Sequence, residues 1–285
     1  MEIKFWGVRG SVAVSGSQVA WVGGNTACLE VRHQGHRLIL DAGTGIRGLG
    51  EAMMREGQGR HATMVFSHLH WDHVQGFPFF TPAYVPGVEL SLFGPGDDGA
   101  RQLRSVLDKQ MQPPNFPVTM EVMRSKLTFG AARSGVAMEV GGMTVTPFEL
   151  PHPQGCLGYR IDAGGKSFVY ATDVELSLET LEPRYARYLE GVDALCLDAQ
   201  YTPDEYSGKG GVSKKGWGHS TMIDAARIAS AVNAKRLYLF HHDPAHNDDQ
   251  VEQMAEAARD EFEACQPARE GVTVTLGEPA LPLCA

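Results

Sequence analysis

The 285-residue chain has no apolar run approaching the ~18 residues that a membrane-spanning helix needs. Its opening, Met-Glu-Ile-Lys-Phe-Trp-Gly, lacks a basic stretch followed by an apolar core, so no secretory signal is expected and the chain reads as cytoplasmic. Cysteine is sparse. Cys28, Cys156, Cys196, Cys265 and Cys284 are odd in number, far apart and never in a C-x-x-C pair, which excludes a disulfide frame and a thiolate zinc knot and leaves buried reduced thiols. Positive charge is short too: 25 Lys and Arg against 34 Asp and Glu leave a formal charge of −9, a surface that repels long polyanions. A stable nucleic-acid partner is therefore not expected, although a small anion remains admissible. Internal repeats, linkers and low-complexity tails are absent as well. What is present, 43% apolar and 21% charged residues broken by 33 Gly and 16 Pro, is too apolar for disorder and too interrupted for a fibre. A single α/β domain over 1–285 with a large core accommodates it.

Hydrophobic patterning predicts a strand over 2–8, a hairpin of 26–33 with 36–41 around Gln34-Gly35, a helix from the Asp41-Ala-Gly-Thr-Gly turn to about 55, and a buried strand over 62–67. A strand over 88–93 and a helix over 98–110 follow. Pro113, Pro114 and Pro117 then make 111–118 a rigid exposed loop carrying Phe116, so that 94–118 reads as an insertion, the place for a lid or a homodimer contact. Strands return over 136–170 with a turn at Gly164-Gly165. Helices over 176–190, 221–232 and 248–265 alternate with strands over 194–197, 236–240 and 272–276, and 207–218 is a glycine- and lysine-rich loop.

The chemistry concentrates where the 62–67 strand ends. His68-x-His70-x-Asp72-His73 places four metal-competent side chains within six residues, and in a loop leaving a strand these can converge on two neighbouring points. Imidazole and carboxylate form a ligand set that suits zinc, with manganese or iron as alternatives. Two metals need about three to four protein ligands each, so the motif is half a site. His152, Asp173 and His241 each directly follow an apolar strand. A lone histidine there is ordinarily a surface or hydrogen-bonding residue; the joint pattern makes all three candidate ligands.

These residues together resemble the metallo-β-lactamase superfamily, whose signature is H-x-H-x-D-H followed by a distant His, Asp and His. The resemblance runs from the first strand to His241 and implies a four-layer αββα sandwich with two divalent metals at one edge. It implies His68, His70 and His152 on one metal, Asp72, His73 and His241 on the other, and Asp173 bridging them. Asp173 stands where true β-lactamases carry a cysteine, and His70 where flavodiiron proteins carry a glutamate, which leaves hydrolysis by thioesterase, lactonase or phosphodiesterase members. Asp41 is read as a supporting turn residue rather than a ligand, His242 and His246 as solvent-facing, and Glu175 as a residue that could orient His219.

Gly218-His219-Ser220-Thr221 resembles the His-Ser-Thr motif of the phosphodiesterase branch, which includes ribonuclease Z and cyclic-nucleotide phosphodiesterases. Ser220 or Thr221 suits the N-cap of the next helix, placing His219 where backbone N–H groups favour a phosphate oxygen. The implied mechanism is attack by a metal-activated hydroxide, with Asp72 accepting the proton and His219 stabilising phosphate charge. Lys214 and Lys215, with Lys209, either close over substrate or remain solvated; Phe116 either stacks on a base or packs on a second subunit. Ribonuclease Z carries a long flexible arm between the positions matching His152 and Asp173; here only twenty residues intervene. With the −9 charge, this favours a small phosphodiester such as a cyclic nucleotide over transfer RNA. The alternatives are a ribonuclease Z type endoribonuclease, a glyoxalase II type thioesterase or lactonase for which His219 is dispensable, and a non-catalytic metal-binding domain.

Overall fold

The computed structural model describes residues 1–57 and 60–277; Cys284 lies outside them, and the other four cysteines are buried free thiols. Among the described residues, fourteen strands form two seven-stranded sheets. The first holds β1 (Glu2–Gly7), β2 (Cys28–His33), β3 (His36–Leu40), β4 (His61–Val65), β5 (Glu89–Pro95) and β6 (Lys126–Ala132). The second runs through β7 (Met138–Val140), β8 (Met143–Leu150), β9 (Cys156–Ala163), β10 (Lys166–Ala171), β11 (Ala194–Asp198), β12 (Leu237–Phe240) and β13 (Cys265–Pro267), and β14 (Thr273–Thr275) returns to pair with β1. Seven α-helices accompany them: α1 (Ile46–Glu56), α2 (Trp71–Val74), α3 (Gly99–Gln110), α4 (Pro183–Leu189), α5 (Pro203–Ser207), α6 (Met222–Ala231) and α7 (Asp248–Arg259).

Alternation along the strands builds the layers. Phe168 and Tyr170 of β10, Cys196 of β11 and Phe240 of β12 face Phe5, Leu38 and Val65 of the first sheet in one central core. Their neighbours Val169, Leu195, Leu197 and Leu239 face outward into a second cluster with Leu189, Ile228 and Met254 of α4, α6 and α7. Ile39 and Met64 face α1 and α3 through Leu49, Met53, Leu103 and Leu107. Strands buried on both faces are continuously apolar, as the sequence of β10 to β12 is. The result is the expected αββα sandwich. Phe5 joins the two sheets, its ring 5.4 Å from Tyr238 and 6.5 Å from Phe240. Phe5→Ala is expected to lower unfolding free energy by about 3–5 kcal/mol, the cost of emptying a buried aromatic site, readable as a lower urea midpoint at unchanged slope.

The two halves share one topology. β14-β1-β2-β3 and β7-β8-β9-β10 are antiparallel, and β3 to β6 and β10 to β13 are parallel, so each half runs through three antiparallel pairings and then three parallel ones. The ends of β3 and β10 are thus equivalent, and each is followed by an aspartate at positive φ: Asp41 at 62° closely after β3 and Asp173 at 49° after β10.

Several boundaries differ from the sequence reading. The expected helix over 176–190 is α4 alone, because Pro183 pre-sets the first helical turn while Ser177 and Thr180 bond each other in a separate turn. The helix over 248–265 stops at Arg259, and Cys265 opens β13. β6, absent from the reading, is an edge strand whose Gly130 leaves room for the Phe93 ring, a place where a Cβ would come within 2.5 Å. Among the described residues no helix is long and apolar enough to cross a membrane.

Candidate active site

The chain ends of β4, β8, β10, β11 and β12 converge at one edge of the sandwich. There His68, His70, His152 and Asp173 form one group of potential metal ligands, and Asp72, His73, Asp173 and His241 form another, with Asp173 common to both. Asp173 divides its oxygens between them. Oδ1 lies 3.1 Å from His73 Nε2 and 3.2 Å from His241 Nε2, while Oδ2 lies 3.5 Å from His68 Nε2 and 3.9 Å from His152 Nε2.

Each of the five imidazoles has one nitrogen tied outward and the other turned inward. His68 Nδ1 lies 3.1 Å from Ser67 Oγ, His70 Nε2 3.3 Å from Gln154 Oε1, and His152 Nδ1 donates to the Gly218 carbonyl at 2.8 Å. His73 Nδ1 meets Asp41 Oδ2 at 2.8 Å, and His241 Nδ1 meets Gln200 Oε1 at 3.1 Å. Such outer partners select the tautomer that leaves the inner lone pair for a cation. The inner atoms are not all satisfied by one another: His68 Nε2 is buried without a hydrogen-bond partner, and His73 Nε2 and His241 Nε2 face each other at 3.4 Å. An orphaned ring nitrogen beside a shared carboxylate fits a divalent cation.

Electrostatics agree. Burial alone would raise the Asp173 carboxyl, but His241, His73 and His68 hold it well below the usual carboxylate range. Burial works against charge on His73 too, yet Asp173, Asp72 and Asp41 draw a proton to it and push its pKa up. His68 goes down through burial. The carboxylates thus demand positive charge at this edge, which bound cations would supply in place of protons.

The backbone is shaped to bring these side chains together. Asp41, Asp173 and His241 all have left-handed φ, which turns each side chain out of its strand direction into the site at a cost of roughly 1–3 kcal/mol each. Gly10 lies beneath the His241 ring, where a Cβ would come within 2.5 Å, and Gly218 lies against His152, where it would come within 2.3 Å.

Asp41 gathers the Ser67 N–H and Oγ, the Tyr170 hydroxyl and His73 Nδ1, all within 2.7–2.8 Å, so it holds His73 without joining the two inner groups. Asp41→Asn is expected to weaken metal affinity by about 10–100-fold, the usual cost of losing a ligand's outer partner, measured by chelator competition.

His219 lies beside both groups, its ring stacked on His241 at 4.9 Å and edge-on to His152 at 5.3 Å. Thr221, one of the two expected caps, accepts the Asp224 N–H and starts α6. The residue that orients His219 is not Glu175 but Asp198 at the end of β11, whose Oδ2 meets His219 Nδ1 at 2.7 Å. Asp198 also accepts from the backbone N–H groups of Ser220 and Gln200. Burial opposes a charged His219, but Asp198 outweighs it and brings the pKa up to about 9. An acidic residue ending a buried apolar strand, the pattern that marked Asp173, was the available signal for Asp198.

Glu175 instead latches the glycine-rich loop: it accepts from Tyr206 Oη at 2.6 Å, Gly216 N at 2.8 Å and Gly218 N at 2.9 Å. In that loop Lys214 lies over the Trp217 ring at 3.9 Å, while Lys215 lines a cavity that reaches His219. Phe116 is half-buried rather than exposed, edge-on to Phe79 at 5.7 Å on the outer face of the first sheet. His242 and His246 are buried, contrary to the sequence reading: the chain after β12 runs inward beside Val8 and Arg9, His242 Nε2 bonding Ala268 O and His246 Nε2 bonding Glu205.

An αββα sandwich with these two imidazole–carboxylate groups at one edge defines a metal-dependent hydrolase of metallo-β-lactamase fold. The chain belongs to the family described as "Beta-lactamase superfamily domain", whose model matches residues 36–242. Ribonuclease Z of Natronomonas pharaonis is 25% identical over 290 residues, covering 85% of this chain and 86% of that protein. Among solved structures, Zn(2+)-bound PqqB from Methylobacterium extorquens superposes with a TM-score of 0.72 at 20% identity, covering 97% of this chain and 100% of the other. A diphosphatase from the PhnP family gives 0.69 at 20% identity over 96% and 97%.

Proposed function

We propose that this protein is a dinuclear phosphodiesterase acting on small phosphodiesters such as cyclic nucleotides. The observation that carries the reading is the set of five imidazoles whose inner nitrogens converge on the shared Asp173, with His219 and its carboxylate partner alongside. Two divalent cations, zinc in first place and manganese or iron as alternatives, would be held by His68, His70 and His152 and by Asp72, His73 and His241 with Asp173 between, supplying Lewis acidity and lowering the pKa of a water from ~15.7 toward ~7.

The remaining work belongs to the chain. Asp72 Oδ2 is held by the Ser11 N–H at 2.7 Å and lies 3.2 Å from His241 Nε2. Burial would raise its carboxyl, but His73 and His241 hold it far down, so it stays an anion that orients the attacking water by accepting a hydrogen bond from it. His219, with Nδ1 committed to Asp198, has Nε2 to donate to a phosphoryl oxygen or to the leaving oxygen.

A small substrate is supported by the acidic surface and by the short β9–β10 hairpin, which fills the interval between His152 and Asp173. The name of the Natronomonas relative favours a second reading, an RNA-processing endoribonuclease. The protein is read as one cytoplasmic domain over 1–285. Zinc-loaded protein offered bis(p-nitrophenyl) phosphate, cyclic AMP, a precursor transfer RNA and an acyl thioester should hydrolyse the first two. Turnover of the thioester alone would sink the reading, and turnover of the RNA alone would select the second.

A further inference from the structure

Beside His219 a cavity of about 800 Å³ runs outward from the metal-ligand cluster between the segment after β10, the glycine-rich loop and α6. His152 and His219 form its inner end, so the cavity opens directly from the cluster. Its volume is that of a site for an organic ligand. The walls are set rather than loose: Glu175 pins Tyr206, Gly216 and Gly218, and the Gly218 carbonyl in turn fixes His152.

Its charge is unlike that of a phosphate site. Three carboxylates line it, Glu175, Glu179 and Asp224, against Lys215, Arg227 and the His219 imidazole at its inner end. Arg227 is already paired with Glu261 at 2.7 Å. A second phosphate would enter a region with no excess of positive charge and would meet Glu179 and Asp224, a repulsion that a site built for polyanions avoids. Apolar surface is available instead: Pro151, Leu176 and Leu178 line the same cavity, and Leu178 is 46% exposed.

We propose that this cavity takes the uncharged, nucleoside-sized organic group of a diester with a single phosphate, and that its carboxylates discriminate against substrates carrying a second phosphate there. The proposal rests on the phosphodiester reading and sharpens it, because it separates a cyclic nucleotide from an RNA strand by charge at a named place.

Titration calorimetry on the zinc-loaded full chain with inorganic phosphate, adenosine 5′-monophosphate and adenosine 3′,5′-bisphosphate tests it without turnover. The monophosphate is expected to bind about tenfold or more tighter than phosphate, and the bisphosphate no tighter than the monophosphate. Leu178→Trp, which fills the cavity from its exposed wall, should cut the monophosphate-to-phosphate ratio to within about threefold, and Glu179→Lys should favour the bisphosphate by about fivefold. Equal affinity for phosphate and the monophosphate, a bisphosphate that binds about tenfold tighter than the monophosphate, or an unchanged ratio in Leu178→Trp would overturn the proposal. Failure of the phosphodiester reading is seen separately, as absent hydrolysis of bis(p-nitrophenyl) phosphate by the same preparation.

Discussion

Asp173→Asn is expected to reduce bound metal from the proposed two ions per chain to at most one and to bring the proposed phosphodiester hydrolysis to background. The substitution keeps the side-chain shape, and asparagine tolerates the left-handed φ of 49° at this position, so the fold should survive. What it removes is the negative charge whose two oxygens serve the two imidazole groups separately. An amide presents one oxygen and one N–H₂, and the N–H₂ would point at a cation or at an imidazole lone pair. The clearest readout is the stabilisation that metal confers. A ligand at about 1,000 times its dissociation constant adds ~4.1 kcal/mol, so wild-type melting temperature should rise strongly with zinc and that of Asp173→Asn only weakly. Without metal the variant is expected to melt below the wild type, because it loses a carboxylate that His241, His73 and His68 hold ionised and leaves the buried His73 with less compensating charge. Two ions bound to the variant, with an undiminished zinc-dependent shift, would show that Asp173 is not shared.

The second large effect separates His219 from the candidate metal ligands. His219→Ala should lower kcat on phosphodiesters by about 10²–10³-fold, the loss seen when one donor to a developing oxyanion is removed, at unchanged metal content. Asp198→Asn should approach the same loss although the imidazole remains. Asp198 Oδ2 accepts from His219 Nδ1 at 2.7 Å; an amide nitrogen there would favour the tautomer with its proton on the wrong side, an error that costs about 10⁴ in a serine-protease triad. If His219→Ala loses metal, the residue is a ligand, consistent with its place beside His241 and Asp198. If phosphodiester turnover is untouched while metal stays bound, the thioesterase or lactonase alternative gains.

The candidate ligands were legible because they sit at places that local pattern reveals. His68, His70, Asp72 and His73 fall within six residues, and His152, Asp173 and His241 each follow a run of apolar residues that is recognisable as a buried strand. Asp198 ends such a run too, but its carboxylate acts through His219, twenty-one positions away, and no spacing links them. Glu175 shows the same limit from the other side: its nearness to Asp173 suggested a tie to His219, whereas the loop folds so that its carboxylate binds three donors from 206–218. His242 and His246, polar residues beyond a ligand, became buried because β12 lies between β11 and β13 and the chain passes inward by Arg9.

By itself the sequence determined which residue types could coordinate a metal, the strands that present them, the short interval that leaves no room for a substrate-gripping arm, and an acidic surface. All of these are consequences of local backbone preference, composition and chain length. The tertiary structure decided which oxygen of Asp173 faces which imidazoles, that Asp198 directs His219, that the ends of β3 and β10 repeat one another with a supporting and a central aspartate, and that a carboxylate-lined cavity opens beside the site. Those features arise from packing two sheets across a shared core, which joins residues far apart in the chain and selects, among many side chains able to do chemistry, the few whose atoms meet.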